Sequence, residues 1–216
     1  MDPMRLPGLE RLMEVCRRLR LPVTTTPPGR LPPSAGMLVG GHPLDPMLAV
    51  VYSRLGRALF NEDIYVLRVD DSVNELEEES RKWCESWQKR LALPLFPFGG
   101  KAALAYYHAT VLELADAQGC QPVVEVDTHD LDGPHAVPIA SNVDRFFDTY
   151  ARYLEAEVAA DPNYKAGGPG ELSFPWGTPE LIAQDAPLVE MLRAGRFDPL
   201  LKKDEETRVW VAKVVQ

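Results

Sequence analysis

The sequence predicts an α+β fold, a mostly antiparallel central sheet flanked by helices with a C-terminal extension. Three observations carry this expectation. Several segments repeat apolar residues at helical spacing, and short β-branched runs are bounded by turn signals. The order, helices first and then strands mixed with helices, suits an antiparallel sheet better than strictly alternating units.

"GLERLMEVCRRLRL" sets Leu9, Leu12, Met13, Cys16 and Leu19 on one helical face, and Pro22 ends that helix. "PVTTTPPGRLPPSAGMLVGGHP" is too rich in Pro and Gly for a regular helix or central strand, so it runs over the surface or wraps one edge. In "LDPMLAVVYSRLGRALF", Asp45 is the expected N-cap with Pro46 in the first helical position, and the helix runs toward Gly56. "DIYVLRVDD" reads as a short strand.

"SVNELEEESRKWCESWQKRLAL" is the clearest helix, with Ser72 as cap and Glu75 completing a capping box. Its acids come first and its bases last, which complements the helix dipole. Val73, Leu76, Ser80, Trp83, Trp87 and Leu91 form one face, read as core. "LPLFPFGG" is a strand broken by proline and ended by glycines, and "KAALAYYHATVLELADAQG" fits either helix or strand. "QPVVEVD" and "HAVPIAS" are strands. Ser141 and Asp144 then open the helix "NVDRFFDTYARYLEAEV".

Beyond Asp161, "DPNYKAGGPGELSFPWG" reads as a loop, and Thr178-Pro179-Glu180 opens a helix to about Gly195, broken at Pro187. "TRVWVAKVV" is a last strand candidate. The expected organisation is an N-terminal helix with its Pro/Gly-rich segment (1–41), a core (42–160), and an extension packed on the same domain (161–216).

Composition narrows the function. The formal charge of −9 argues against a nucleic-acid binder, because phosphate contacts need clustered Lys and Arg, and suits a basic partner. No window approaches the roughly 18 consecutive apolar residues of a membrane helix. The scattered charges of the first twenty residues are unlike a signal peptide, so a cytoplasmic location is expected. Cys16, Cys84 and Cys120 contain no C-x-x-C pair and read as buried free thiols. No nucleophile elbow or phosphate loop occurs, and His42 and His108 sit beside apolar residues as structural histidines do.

The order "LDPMLAVVYSRLG", "IYVLRV", a long helix into "LALPLFPFGG", then "QPVVEVD", a loop, "AVPIAS" and "NVDRFFDTYARYL" resembles the SUKH superfamily, the fold of yeast cell-wall regulators and many bacterial immunity proteins. The resemblance spans residues 42–158. "SRLGRALFNED" departs from the glycine-containing segment usual after the first family helix, and "ELSFPWGTPELIAQDAP" has no family counterpart. The resemblance implies a binding protein without cofactor or catalytic group. In that reading it is an immunity protein that neutralises a toxin, as a monomer or weak dimer, or else an intracellular regulatory scaffold.

Two acidic stretches are the candidate contact sites. "EVDTHDLDGPH" packs four carboxylates and two histidines into eleven residues. Its spacing fails an EF-hand, since Gly133 at the sixth position puts Thr128 first and Ile139 twelfth. Gly133-Pro134 forbids the helix of a zinc H-E-x-x-H site. The expected structure is a hairpin loop, with a metal-dependent hydrolase as the alternative chemistry. The second stretch is the acid run around Ser72. The residues expected to meet a protein partner are therefore Asp70, Asp71, Glu75, Glu78, Asp127, Asp130 and Asp132. Phe174, Pro175, Trp176 and Trp210 are expected to pack the tail onto the domain.

Overall fold

A computed structural model describes residues 4–102, 104–161, 163–166 and 174–216. Most of the glycine-rich part of the loop expected after Asp161, including Gly167-Gly168, lies outside the described residues. The chain is α+β with a seven-stranded antiparallel sheet and helices on both faces. No helix among the described residues is long and apolar enough to cross a membrane.

Helix α1 (Pro7–Leu19) buries Leu9, Leu12, Val15 and Cys16 and packs on the long helix α4 (Val143–Ala160). The Pro/Gly-rich segment gives β1 (Val23–Thr26) and a small hairpin, β2 (Leu38–Val39) with β3 (His42–Pro43). Strand β1 forms one edge of the main sheet, where Pro22, Pro27 and Pro28 interrupt no inner ladder. Asp45 caps α2 (Pro46–Arg54), accepting from the amides of Met47 (2.7 Å) and Leu48 (3.0 Å).

The sheet then runs β4 (Arg57–Phe60), β5 (Ile64–Val66), β6 (Leu95–Lys101), β7 (Tyr106–Val111), β8 (Val123–Asp127) and β9 (His135–Ala140), each paired with the next. Within the segment that fits either helix or strand, Tyr106–Val111 is a strand, followed by a 3-10 turn over Leu112–Leu114. Strand β4 lies just beyond Gly56, toward which the sequence predicts a helix; α2 in fact stops at Arg54, where Leu55 is extended. Strand β6 does not end at its glycines. Its register slips between Pro97 and Gly99, which accommodates a proline inside a central strand.

Three helix-boundary expectations need correction. Asn74, not Ser72, caps α3 (Glu75–Ser86), accepting from the Glu77 amide. Ser72 is instead held in a turn by Asp70. Asn142, not Ser141, caps α4 through the Arg145 amide, and Asp144 turns away toward α1. The helix expected to break at Pro187 divides earlier, into α5 (Pro179–Ile182) and α6 (Ala186–Arg193), because Asp185 caps α6 and Pro187 fits its first turn.

The last strand candidate is a helix, α7 (Glu205–Val214). Its β-branched residues favour a strand, but Asp204 caps a helix there, and Thr207, Trp210 and Val214 bury one helical face.

One hydrophobic cluster joins α1, α2 and α4 to the sheet through Phe60, Phe98 and Ile139. A second joins Trp83 of α3 with α6 and α7 to Ala109, Val111, Val124 and Val126. The tail belongs to both. Phe174 packs on Tyr150 and Tyr153, and Trp176 meets Trp210 edge-on at 5.8 Å.

Candidate functional site

The stretch "EVDTHDLDGPH" is the β8–β9 hairpin, with Asp127 paired to His135 across its base. Asp127 accepts from the His129 amide (2.7 Å) and Asp130 from the Asp132 amide (2.9 Å), two local turns of the kind aspartates make. Lys202, from the C-terminal segment, donates to Asp130, and His135 Nδ1 lies 3.4 Å from the same carboxylate. The Lys202 hydrogen bond holds the Asp130 carboxyl below its ordinary range. Asp132 is exposed, 3.7 Å from Lys202. Among the described residues, no group of three or more His, Cys, Asp or Glu side chains is placed to hold a metal ion.

The other four candidates divide. Asp70 closes its turn by accepting from the amides of Ser72 (2.9 Å) and Val73 (3.1 Å) and from Arg68 Nε (2.5 Å). The Ser72 bonds, reinforced by Arg68, hold its carboxyl well below the usual range. Asp71 accepts from the Arg30 amide and guanidinium, tying down the Pro/Gly-rich segment. Glu75 accepts from the Arg68 amide at 2.7 Å, and Glu78 pairs with Lys82 at 3.0 Å.

Glu75 and Glu78 also line a groove of about 580 Å³ between α3 and the sheet, with Glu79, Lys82 and Arg57 at its rim. Leu59, Leu67, Tyr65 and Tyr107 form its floor. Gly100 explains how Tyr65 lies there: a Cβ at residue 100 would come within 3.0 Å of the Tyr65 hydroxyl. Tyr107 is propped edge-on by Trp83 at 5.4 Å. Burial pushes the Tyr65 hydroxyl up to about 12 and raises that of Tyr107, so both are neutral hydrogen-bonding groups near pH 7.

The two acidic stretches do not form one surface. Asp127 lies opposite Tyr106 in the sheet register, whereas the next residue, Tyr107, faces α3. Successive strand residues point to opposite faces, so Asp127 and the α3 carboxylates belong to opposite sides of the sheet.

A buried polar cluster under α4 was missed in the sequence. Lys101, His108 and Glu125 are almost wholly buried, with Glu125 Oε2 3.3 Å from His108 Nε2 and 3.5 Å from Lys101 Nζ. Lys101 also donates to the Phe174 carbonyl and lies 5.4 Å from the Tyr106 ring. Nearby, Tyr150 donates to Asp63 at 2.7 Å, and burial raises the Asp63 carboxyl. Phe146 of α4 closes over His108, ring to ring at 4.8 Å. The cluster braces the tail against the sheet. Only His108 and Glu125, facing each other in paired strands, hinted at it.

Among the thiols, Cys16 and Cys120 are buried free cysteines, and burial pushes Cys16 up to about 11. Cys84 departs from the expectation. It is half-buried, 3.9 Å from His42 Nε2.

Comparison of the chain with protein-family models, with curated proteins and with solved structures gives no match.

Proposed function

We propose that the chain is a non-catalytic binding protein of the SUKH type, an immunity protein that neutralises a basic toxin domain in the cytoplasm by covering it. The groove beside α3 supports this reading. It combines a tyrosine floor, Tyr65 and Tyr107, with a lip of Glu75, Glu78 and Glu79. Tyrosines give a large contact area for little lost side-chain freedom, and they recur among the residues that dominate interface energies. Carboxylates at the rim, within a chain of net charge −9, steer a basic partner toward that floor. Occlusion makes and breaks no covalent bond, so the function needs no cofactor.

The deciding experiment co-expresses the chain with the toxin encoded beside its gene and scores survival. Wild type protects, Tyr107→Ala loses protection, and Glu78→Lys slows association of the purified proteins more than it speeds dissociation. Wild type that neither protects nor forms a complex overturns the reading.

A further inference from the structure

Leu131, at the tip of the β8–β9 hairpin, has a relative exposure of 101%. Covering it against a second surface would remove that apolar area from water, which favours association. The loop around it is ordered by its own bonds, the two aspartate turns, the Gly133 amide on the Asp130 carbonyl (3.0 Å), and the Lys202 brace. The hairpin therefore presents an apolar knob between two carboxylates, Asp130 and Asp132.

A matching socket lies on the same chain. A cavity of about 460 Å³ is lined by Leu201 and Val211, with Lys202, Lys203, Arg208, Thr207 and Asp198 around it. Its apolar floor suits a leucine, and the stems of the long basic residues extend that floor. Lys203 has no ion pair among the described residues. Lys202 belongs to both features, since it lines the socket and holds Asp130 of the knob.

We propose that the protein self-associates as a two-fold dimer in which Leu131 of each copy seats in the Leu201–Val211 cavity of the other. The charges complement each other. The acidic tip, with Asp132 largely exposed, meets a rim that carries Lys203, unpaired among the described residues, beside Arg208, which pairs with Glu205. Because knob and socket are neighbours on one surface, a two-fold axis satisfies both at once and closes the assembly. The residues differ from those of the α3 groove, so the dimer leaves that groove free and stands independently of the proposed function.

Sedimentation velocity over a concentration series of the full chain tests it. Wild type is expected to shift from monomer to dimer, and to shift less as salt screens the rim charges. Leu131→Asp is expected to weaken dimerisation at least about tenfold, the effect of losing a modest apolar anchor, with an unchanged circular dichroism spectrum. Asp132→Lys weakens it too, and Asp132→Lys combined with Lys203→Asp restores it. Wild type that stays monomeric throughout overturns the proposal, as does a dimer indifferent to Leu131→Asp.

Discussion

Asp144, in the first turn of α4, accepts hydrogen bonds from the backbone amides of Gly8 (2.8 and 3.0 Å) and Leu9 (3.2 Å) at the start of α1. Helix α1 has no side-chain cap of its own, since its N-cap position is Leu6. A carboxylate far away in sequence thus satisfies amides that a local Ser or Asp normally would. The contact is close: a Cβ on Gly8 would fall 2.1 Å from the Asp144 carbonyl oxygen.

Asp144→Ala should therefore destabilise the protein by about 1–3 kcal/mol, the cost of leaving buried amides unpaired. Gly8→Ala should also destabilise, through the clash, by about 1–3 kcal/mol. Urea unfolding checks both: the midpoint falls while the slope holds. An unmoved midpoint for Asp144→Ala would mean that the α1–α4 junction does not depend on this cap.

Lys101 and Glu125 are the second lever. Both are almost wholly buried, and among the described residues Lys101 is the one fixed positive charge paired with Glu125. Lys101→Met strands the Glu125 carboxylate and removes the donor to the Phe174 carbonyl, so a loss of about 3–5 kcal/mol is expected. Lys101→Met with Glu125→Gln should recover part of that loss, because no buried charge is left uncompensated. Equal stability of the single and double variants would show that the pair is not coupled.

Asp63 gives a pH dependence of definite sign. Burial raises its carboxyl in the folded state, more than the Tyr150 hydrogen bond lowers it. A raised carboxyl contributes stability that is complete below the unfolded value, about 3.9, and is lost as pH rises through the folded value. Asp63→Asn removes that dependence. The stability of wild type relative to Asp63→Asn should accordingly fall as pH rises from about 4. Calorimetry of the two proteins over that rise measures it, and a difference that rises with pH refutes the assignment.

What the sequence disclosed follows from the range of each interaction. Asp45 with Pro46, the Asp-Gly turn at Gly133 and most of the α1 face are local signals that fall where they were expected, although Val15 and not Met13 turns inward. The antiparallel sheet followed from the order of helices and short strands. The failures are where tertiary partners override local preference. Val209, Val211 and Val214 favour a strand, but α7 forms because Thr207, Trp210 and Val214 find a core. Asp144 looked like a local capping residue because its partner, Gly8, is distant in sequence. The acidic candidates shared a charge but not a face. Strand register, which no short window encodes, leaves Asp127 on the side of the sheet opposite the groove that Glu75 and Glu78 of α3 line. Lys101 carries no local signal of burial, and only the fold buries it.

The Lys202–Asp130 contact joins the hairpin to the C-terminal segment and yields a site-specific titration. Asp130 is held below its ordinary range first by the Lys202 hydrogen bond and then by the Asp132 amide. A lowered carboxyl stabilises the fold above the unfolded value, and that contribution is lost as pH falls through the folded one. Replacing Lys202 with Met removes the larger cause and leaves the amide. The Asp130 carboxyl, followed by carbon-detected NMR, should then titrate at higher pH in Lys202→Met than in wild type. Global stability should change only modestly, because Lys202 is part-exposed and pairs open to solvent contribute weakly. An Asp130 titration identical in the two proteins would show that the hairpin is not braced from the C-terminal side. The ordered tip that presents Leu131 would then rest on its local turns alone.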